Sequence, residues 1–393
     1  MRINDPAYCI LPFNHMNFHP NGNVSLCCVA KMFPPDDGFY RDGRTMLNLN
    51  NNPLKQIWED SSVNDVRKQM LEGVKPNACV GCYAIEDNNG ESRRQTENKR
   101  WRRYKEEPNL EFLDLRISNT CNLKCMMCYP DSSSSLMSDY KQWSDKLDFV
   151  PKNPVDPKMF NWFDEDFIEQ LMNYKDSLKY LYINGGEPFI MPLHWKFLER
   201  LIEEDVAKNI HISYNTNCTT YDDKFSEYWK HFKRVTLGLS VDAIGDKNKF
   251  IRYPSNWETL NDNVLKFIHN PVLNHINITC SIQWLNAPFL DEFYNWAIPI
   301  INQKKRATIN QNFIVFPHYL SLNCASTKFK EDLYKHFENS KYKEHILSPT
   351  MISYLKQKEE YDMLWNEGIR FVDTVETTRD MNWREVFNYD YRF

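Results

Sequence analysis

No run of eighteen consecutive apolar residues occurs in the 393-residue chain, and no long apolar stretch follows the single arginine of its opening, MRINDPAYCILPF. The first absence argues against a membrane-spanning helix and the second against a secretory leader. A soluble, cytoplasmic protein with no membrane partner is the expectation. A dominant charge is missing too, since 48 Lys and Arg against 53 Asp and Glu leave a formal net charge of -5. A nucleic-acid or anionic-lipid partner would need a local basic patch, because the field of the whole protein does not attract one. Glycine is scarce at 11 residues, which argues against a disordered nucleic-acid-binding tail. No internal repeat is present.

What the chain has is cysteine. In a compartment that keeps thiols reduced, eleven cysteines suit metal ligation better than a disulfide framework. Eight lie in the first third: Cys9, Cys27, Cys28, Cys79, Cys82, Cys121, Cys125 and Cys128. Cys218, Cys280 and Cys324 are scattered behind them. Such clustering is what metal sites produce.

At this length two or three packed units are expected. Residues 9 to 30 read as a hairpin, "NFH" and "NVSL" flanking a "PNG" turn in which Gly22 takes a positive φ and Cys27 folds back toward Cys9. "PLKQIWED" and "VNDVRKQMLEG" read as short helices, the second stopped by Gly73. "NACVGC" follows, then a basic run, "ESRRQTENKRWRRYKEEP", that sets a boundary near Pro108. From 111 six apolar runs alternate with helical patterns: 111 to 118, 178 to 184, 209 to 215, 234 to 240, 276 to 282 and 307 to 315. Repeated β-then-α units imply parallel strands with right-handed crossovers. The interruption at 130 to 163 reads as an active-site loop or insertion outside the core. The stretch after 320 is helical and aromatic. The expected division is a small α+β domain over 1 to 108, an α/β domain over 109 to 320 and a C-terminal helical cap over 321 to 393.

"CNLKCMMC", 121 to 128, follows the first of the six strands. Structural zinc sites want four protein ligands, usually as paired CxxC knuckles. Three cysteines on a cubane iron-sulfur cluster instead leave one iron open to a substrate or cofactor, and the loop after a strand is where α/β barrels place their chemistry. A reactive-thiol cluster is the third alternative.

With "GGEP" at 185 to 188, directly after the second strand, the sequence resembles the radical SAM superfamily, whose CxxxCxxC loop and second-strand motif stand in this order. The resemblance implies a partial (β/α)6 barrel of TIM type. It also implies that Cys121, Cys125 and Cys128 hold a [4Fe-4S] cluster whose open iron is chelated by S-adenosylmethionine. Gly185, Gly186 and Glu187 would hold the methionyl amino group. Met127 stands where the family usually has an aromatic residue and would pack on adenine. Asn215, Asn217, Ser240 and Asp242 would contact the cofactor from the ends of the third and fourth strands, and Arg252 its carboxylate. The pattern Cys9-x12-Gly22-x4-Cys27 with Cys79-x2-Cys82 resembles twitch-type auxiliary cluster domains, shortened relatives of SPASM domains, here placed before the core. Its four thiolates would complete an auxiliary [4Fe-4S] site, with zinc as the alternative. Cys28 is a substitute ligand whose side chain points the other way along a strand.

The activity so implied is reductive cleavage of S-adenosylmethionine, with an electron from a flavodoxin- or ferredoxin-type reductant, and oxidation or cross-linking of a peptide or small molecule. Cys218 or Cys324 would be candidate hydrogen donors, and Cys280 core packing. Two alternatives stand beside this. The basic run with Trp101 would suit a nucleic-acid substrate, and a two-cluster electron-transfer protein would carry both sites without any catalysis.

Overall fold

In the structure, a computed structural model, residues 5–30, 38–42, 45–152, 155–357 and 362–388 are described. Twelve strands occur among them: β1 His15–Phe18, β2 Val24–Ser25, β3 Arg41–Asp42, β4 Thr45–Met46, β5 Phe112–Arg116, β6 Lys124–Cys125, β7 Tyr180–Asn184, β8 His211–Thr216, β9 Arg234–Ser240, β10 Arg252–Tyr253, β11 His275–Ile282 and β12 Ala307–Phe313. All six expected barrel strands are present, as β5, β7, β8, β9, β11 and β12. Their parallel pairing and intervening helices make the fold α/β, with the six strands that a partial barrel of this type requires.

Two compact units divide the chain. The first comprises Met1–Asn119, Asp156–Tyr214 and Lys230–Arg234, the second Thr120–Val155, Asn215–Trp229 and Val235–Phe393. These units do not follow the boundaries drawn from sequence at 108 and 320. The reason is a strand pairing that composition does not reveal: β1, from the N-terminal segment, lies parallel to β5 with Asn17 opposite Asp114. The first 108 residues thus share a sheet with the start of the core.

In the first unit the order is β2-β1-β5-β7-β8, antiparallel only at the β1–β2 hairpin. Gly22 turns that hairpin at φ +83°, where a side chain would be strained. Strand alternation divides the sheet into two faces. Met16, Phe18, Leu113, Leu115, Leu181, Ile183, Ile212 and Tyr214 form a fully buried apolar face, each side chain worth about 1.5 to 3 kcal/mol. The opposite face carries Asn17, Asp114, Arg116, Tyr182, Asn184 and Ser213. Helices Glu165–Met172 and Pro192–Glu203 bury Phe167, Ile168 and Leu171, and Phe197, Leu198 and Leu201. Asp164 caps the first by accepting from the Phe167 N–H at 2.8 Å.

In the second unit β9, β11 and β12 are parallel, with helices Trp257–His269 and Leu290–Ile301 between them in sequence. Its C-terminal part is helical, as Thr327–Glu338, Pro349–Lys356, Asp362–Glu376 and Trp383–Phe387.

Residues 130 to 163 are not the loop expected outside the core. They contain a helix, Met137–Lys146, that buries Tyr140 and Trp143 three residues apart. The Trp143 indole donates to the Thr378 hydroxyl at 3.1 Å and meets Phe371 edge-on. In the first unit Trp162 is buried as well, donating to the Pro20 carbonyl at 2.7 Å. Turn-rich composition concealed these aromatic anchors.

Candidate metal centres

The cysteine loop of the second unit is held by its own backbone and by the serines behind it. β6 pairs antiparallel with β10, Cys125 opposite Arg252, and the Met126 N–H donates to the Ile251 carbonyl at 3.0 Å. Ser133 and Ser135 donate to the carbonyls of Leu123 and Cys121 at 2.5 and 2.7 Å. The run "DSSSS" thereby satisfies carbonyls that the tight loop leaves without strand partners. Cys125 is buried, and Cys121 and Cys128 are half-buried.

Nitrogen donors face the sulfurs. The Leu123 N–H lies 3.5 Å from Cys121 Sγ and Asn217 Nδ2 3.8 Å from the same sulfur, while Asn217 Nδ2 also donates to Asn122 Oδ1 at 2.9 Å. Arg252 Nη1 is 4.0 Å from Cys125 Sγ. Its Nη2 donates to Asp242 Oδ1 at 3.0 Å and its Nε stands 2.7 Å from Oδ2. The Ser281 N–H completes Oδ1 at 2.8 Å. Asp242 and Arg252, both expected on a cofactor, are thus engaged with each other, and the surface ion pair usual for such an arginine is here a buried one. A Cys128 thiol donating to Cys125 draws the Cys125 thiol below its usual range, the guanidinium groups of Arg252 and Arg379 acting in the same direction against burial.

Arg379 has no signal in the sequence. It lies in the C-terminal segment, 5% exposed, and Nη2 donates to the Lys124 carbonyl at 2.8 Å. Its Nε and Nη1 meet no acceptor among the described residues. The guanidinium stands 5.1 Å from the Phe250 ring centre, 5.8 Å from Tyr253 and 5.9 Å from Trp143. Burial pushes it down to about 9.

The remaining expected residues are dispersed. Met127 is half-buried, whereas its neighbour Met126 is in the core. Ser240 ends β9 opposite Thr279, and Asn215 is exposed in β8. Cys218 and Cys324 are buried and donate to the carbonyls of Thr216 and Tyr319. That removes them as accessible hydrogen donors. Cys280 is core, as expected.

The GGEP turn belongs to the first unit. Gly185 and Gly186 have φ of +82° and +58°, and a Cβ on Gly185 would stand 2.7 Å from Arg116 Cβ. Glycine is required for both reasons. Glu187 is buried and accepts from the Phe189 N–H at 3.3 Å.

The N-terminal cysteines converge within the first unit. Cys9, Cys27 and Cys79 pack on one cluster built from Tyr8, Ile10, Phe13, Met70 and Phe112. Cys79 immediately precedes helix Val80–Asp87, and Cys82 lies in its first turn, where backbone N–H groups favour thiolates. Burial, and then repulsion from the neighbouring thiols, raises Cys9, Cys27 and Cys79, the last to about 12. A bound metal reverses that cost by taking the thiolates as ligands. Cys28 is set apart: its charged neighbours are Arg93, Asp114 and Arg116.

Several arginines of the basic run are engaged within the fold. Helix Arg93–Trp101 places Arg93 3.0 Å from Glu97, bonds Arg94 to Glu86 at 2.9 Å and sets Arg100 3.8 Å above the Tyr180 ring. Arg103 pairs with Glu111.

Among the described residues no three His, Cys, Asp or Glu side chains close on one point as a cage for a single ion. A cubane asks for no such point, because each iron takes its own thiolate. Both donor sets are thiols, and the core set adds N–H donors to sulfur, so an iron-sulfur cluster fits each.

Comparison with known proteins accords with this chemistry. The radical SAM superfamily model matches residues 115–279, and an iron-sulfur cluster-binding domain, SPASM, matches residues 9–83. An uncharacterized protein of Methanocaldococcus jannaschii is 26% identical over 197 residues, 48% of this chain and 59% of its own. The radical SAM cyclopropyl synthase TigE of Paramaledivibacter caminithermalis is 27% identical over 215 residues, 53% of this chain and 41% of its own. The chain therefore spans about two-fifths to three-fifths of the length of these curated relatives. Among solved structures, AdoMet-bound anSMEcpe aligns with 59% of this chain and 61% of its own at 18% identity and a TM-score of 0.40. Streptococcus suis SuiB bound to S-adenosylmethionine aligns with 71% and 52% at 14% identity and a TM-score of 0.37.

Proposed function

Since the chain belongs to the radical SAM superfamily and carries an N-terminal SPASM iron-sulfur cluster-binding domain, we propose that it oxidises or cross-links a peptide or small molecule by hydrogen abstraction from carbon. S-adenosylmethionine on the core [4Fe-4S] cluster supplies a 5'-deoxyadenosyl radical able to take hydrogen from an unactivated C–H bond. Cys121, Cys125 and Cys128 would hold that cluster, and Glu187 with the carbonyls of Gly185 and Gly186 the methionyl ammonium. Cys9, Cys27, Cys79 and Cys82 would hold the auxiliary cluster.

The observation that carries the oxidative reading is this second, four-thiol set, made of cysteines alone, with Cys9 and Cys82 buried and Cys27 and Cys79 half-buried. With four thiolates and no ligand position left open, a cluster held there would supply an electron acceptor. The polar face of β1, β5 and β7 lies in the same unit. There Asp114 is 1% exposed and accepts from Asn184 at 3.1 Å, and burial raises its carboxyl. It can take up a proton. The loss of two hydrogens would balance as one hydrogen atom to 5'-deoxyadenosine, one electron to the auxiliary cluster and one proton to a base, for which Asp114 is the candidate. The substrate loses two hydrogens, and the electron first delivered to the core cluster comes from a flavodoxin- or ferredoxin-type reductant. The resemblance to a cyclopropyl synthase is in keeping with a reaction at carbon. A nucleic-acid substrate loses part of its support, because Arg93, Arg94 and Arg103 are each engaged with a carboxylate within the fold.

The test is anaerobic incubation with S-adenosylmethionine and dithionite. Formation of 5'-deoxyadenosine without substrate is expected; none at all would leave the electron carrier. With candidate peptides, the product should be lighter by two hydrogens. Asp114→Asn should lose that product yet still form 5'-deoxyadenosine, and full product from this variant would remove Asp114 from the reaction.

A further inference from the structure

We propose that Arg379, supplied by the C-terminal helical segment, is the charge-balancing cation of the core cluster loop and helps to set the cluster's reduction potential. The inference needs the core cluster but no particular substrate.

Two guanidinium groups stand at the cysteine loop, Arg252 with Nη1 4.0 Å from Cys125 Sγ and Arg379 on the Lys124 carbonyl at 2.8 Å, and Asp242 is the carboxylate beside them. Asp242 is bound to Arg252, so one cation neutralises the one anion and Arg379 is left over. The adjoining Lys124 is itself paired with Asp139 at 2.8 Å. A guanidinium 5% exposed, with one N–H on a carbonyl and two nitrogens without an acceptor, is costly unless an anion lies in its field. Asp139 lies in that field but is already paired with Lys124, and the cluster loop provides the further anion. Three thiolates on a cubane core carrying two positive charges leave one net negative charge, and a second appears on reduction. The excess cation matches the first and favours arrival of the second.

The position is built to last. Arg379 follows helix Asp362–Glu376, whose Phe371 packs on Trp143, and the Thr378 hydroxyl accepts from the Trp143 indole. The segment lies outside both family matches. Arg379 is a positioning residue in this role: it acts through the loop and its field and has no part in bond making.

The experiment is an anaerobic redox titration of full-length, reconstituted wild type, Arg379→Met and Arg379→Lys, followed by electron paramagnetic resonance. The core cluster is identified by the change that S-adenosylmethionine makes to its signal. R379M should retain core iron with its midpoint moved to more negative potential, and R379K should titrate as wild type does. If R379M fails to fold, wild-type behaviour of R379K still supports the charge, since Lys lacks the planar fork that bonds the Lys124 carbonyl. An unshifted midpoint in R379M, or R379K as defective as R379M, would overturn the proposal in favour of a packing role.

Discussion

Arg252 and Asp242 join the strand beside the cysteine loop to the end of β9 through a buried ion pair, with an Nη2–Oδ1 distance of 3.0 Å and an Nε–Oδ2 distance of 2.7 Å. Because β10 lies antiparallel to β6, the backbone of Arg252 also pairs with that of Cys125. One residue therefore fixes the loop twice, by a strand bridge and by a charge.

Removing Asp242 strands a buried guanidinium, the costly way to break such a pair. Asp242→Ala is expected to lower unfolding stability by about 3 to 5 kcal/mol. Guanidinium unfolding under anaerobic conditions measures it, and a loss below about 1 kcal/mol would show that solvent reaches the pair.

The two thiol sets are independent in ligand identity. Changing Cys121, Cys125 and Cys128 together to Ala should lower iron from about eight to about four per chain and leave a reducible cubane signal. Changing Cys79 and Cys82 to Ala should also leave about four, now with 5'-deoxyadenosine formation retained. If the first variant holds no iron while the first unit retains zinc, the N-terminal site is structural.

Gly185→Ala places a methyl group against Arg116 in a backbone region that alanine avoids. A stability loss above about 1 kcal/mol is expected, together with weaker S-adenosylmethionine binding by equilibrium dialysis. Unchanged binding would detach the GGEP turn from the cofactor.

His194 is buried, with Nε2 2.9 Å from the Tyr214 hydroxyl, and burial lowers it from the usual 6.5 to about 3. The unfolded chain takes up a proton as pH falls past 6.5, and the folded chain does so only near 3. Stability is therefore complete above the first value and is lost progressively toward the second. Between about pH 7.5 and about pH 5, wild type should lose about 2 kcal/mol more than His194→Gln. Equal losses in urea melts would show that His194 titrates as it does in solution.

Much was legible in local pattern. The six strands follow from apolar runs, the hairpin from "PNG" with Gly22, the end of helix Ser61–Leu71 from Gly73, and the thiol sets from cysteine spacing, because each depends on residues close in sequence. Chemistry at this range is set by covalent connection and by intrinsic φ, ψ preference.

Tertiary structure decided what depends on distant partners. It turned Asp242 and Arg252 toward each other, buried Cys218 and Cys324, and engaged the arginines of the basic run with Glu86, Glu97 and Glu111. It brought Arg379 to a loop 255 residues earlier in the chain. A charge pattern states how many ions a chain holds; which of them meet depends on packing, since desolvation makes an unpaired buried charge costly and leaves an exposed one nearly free.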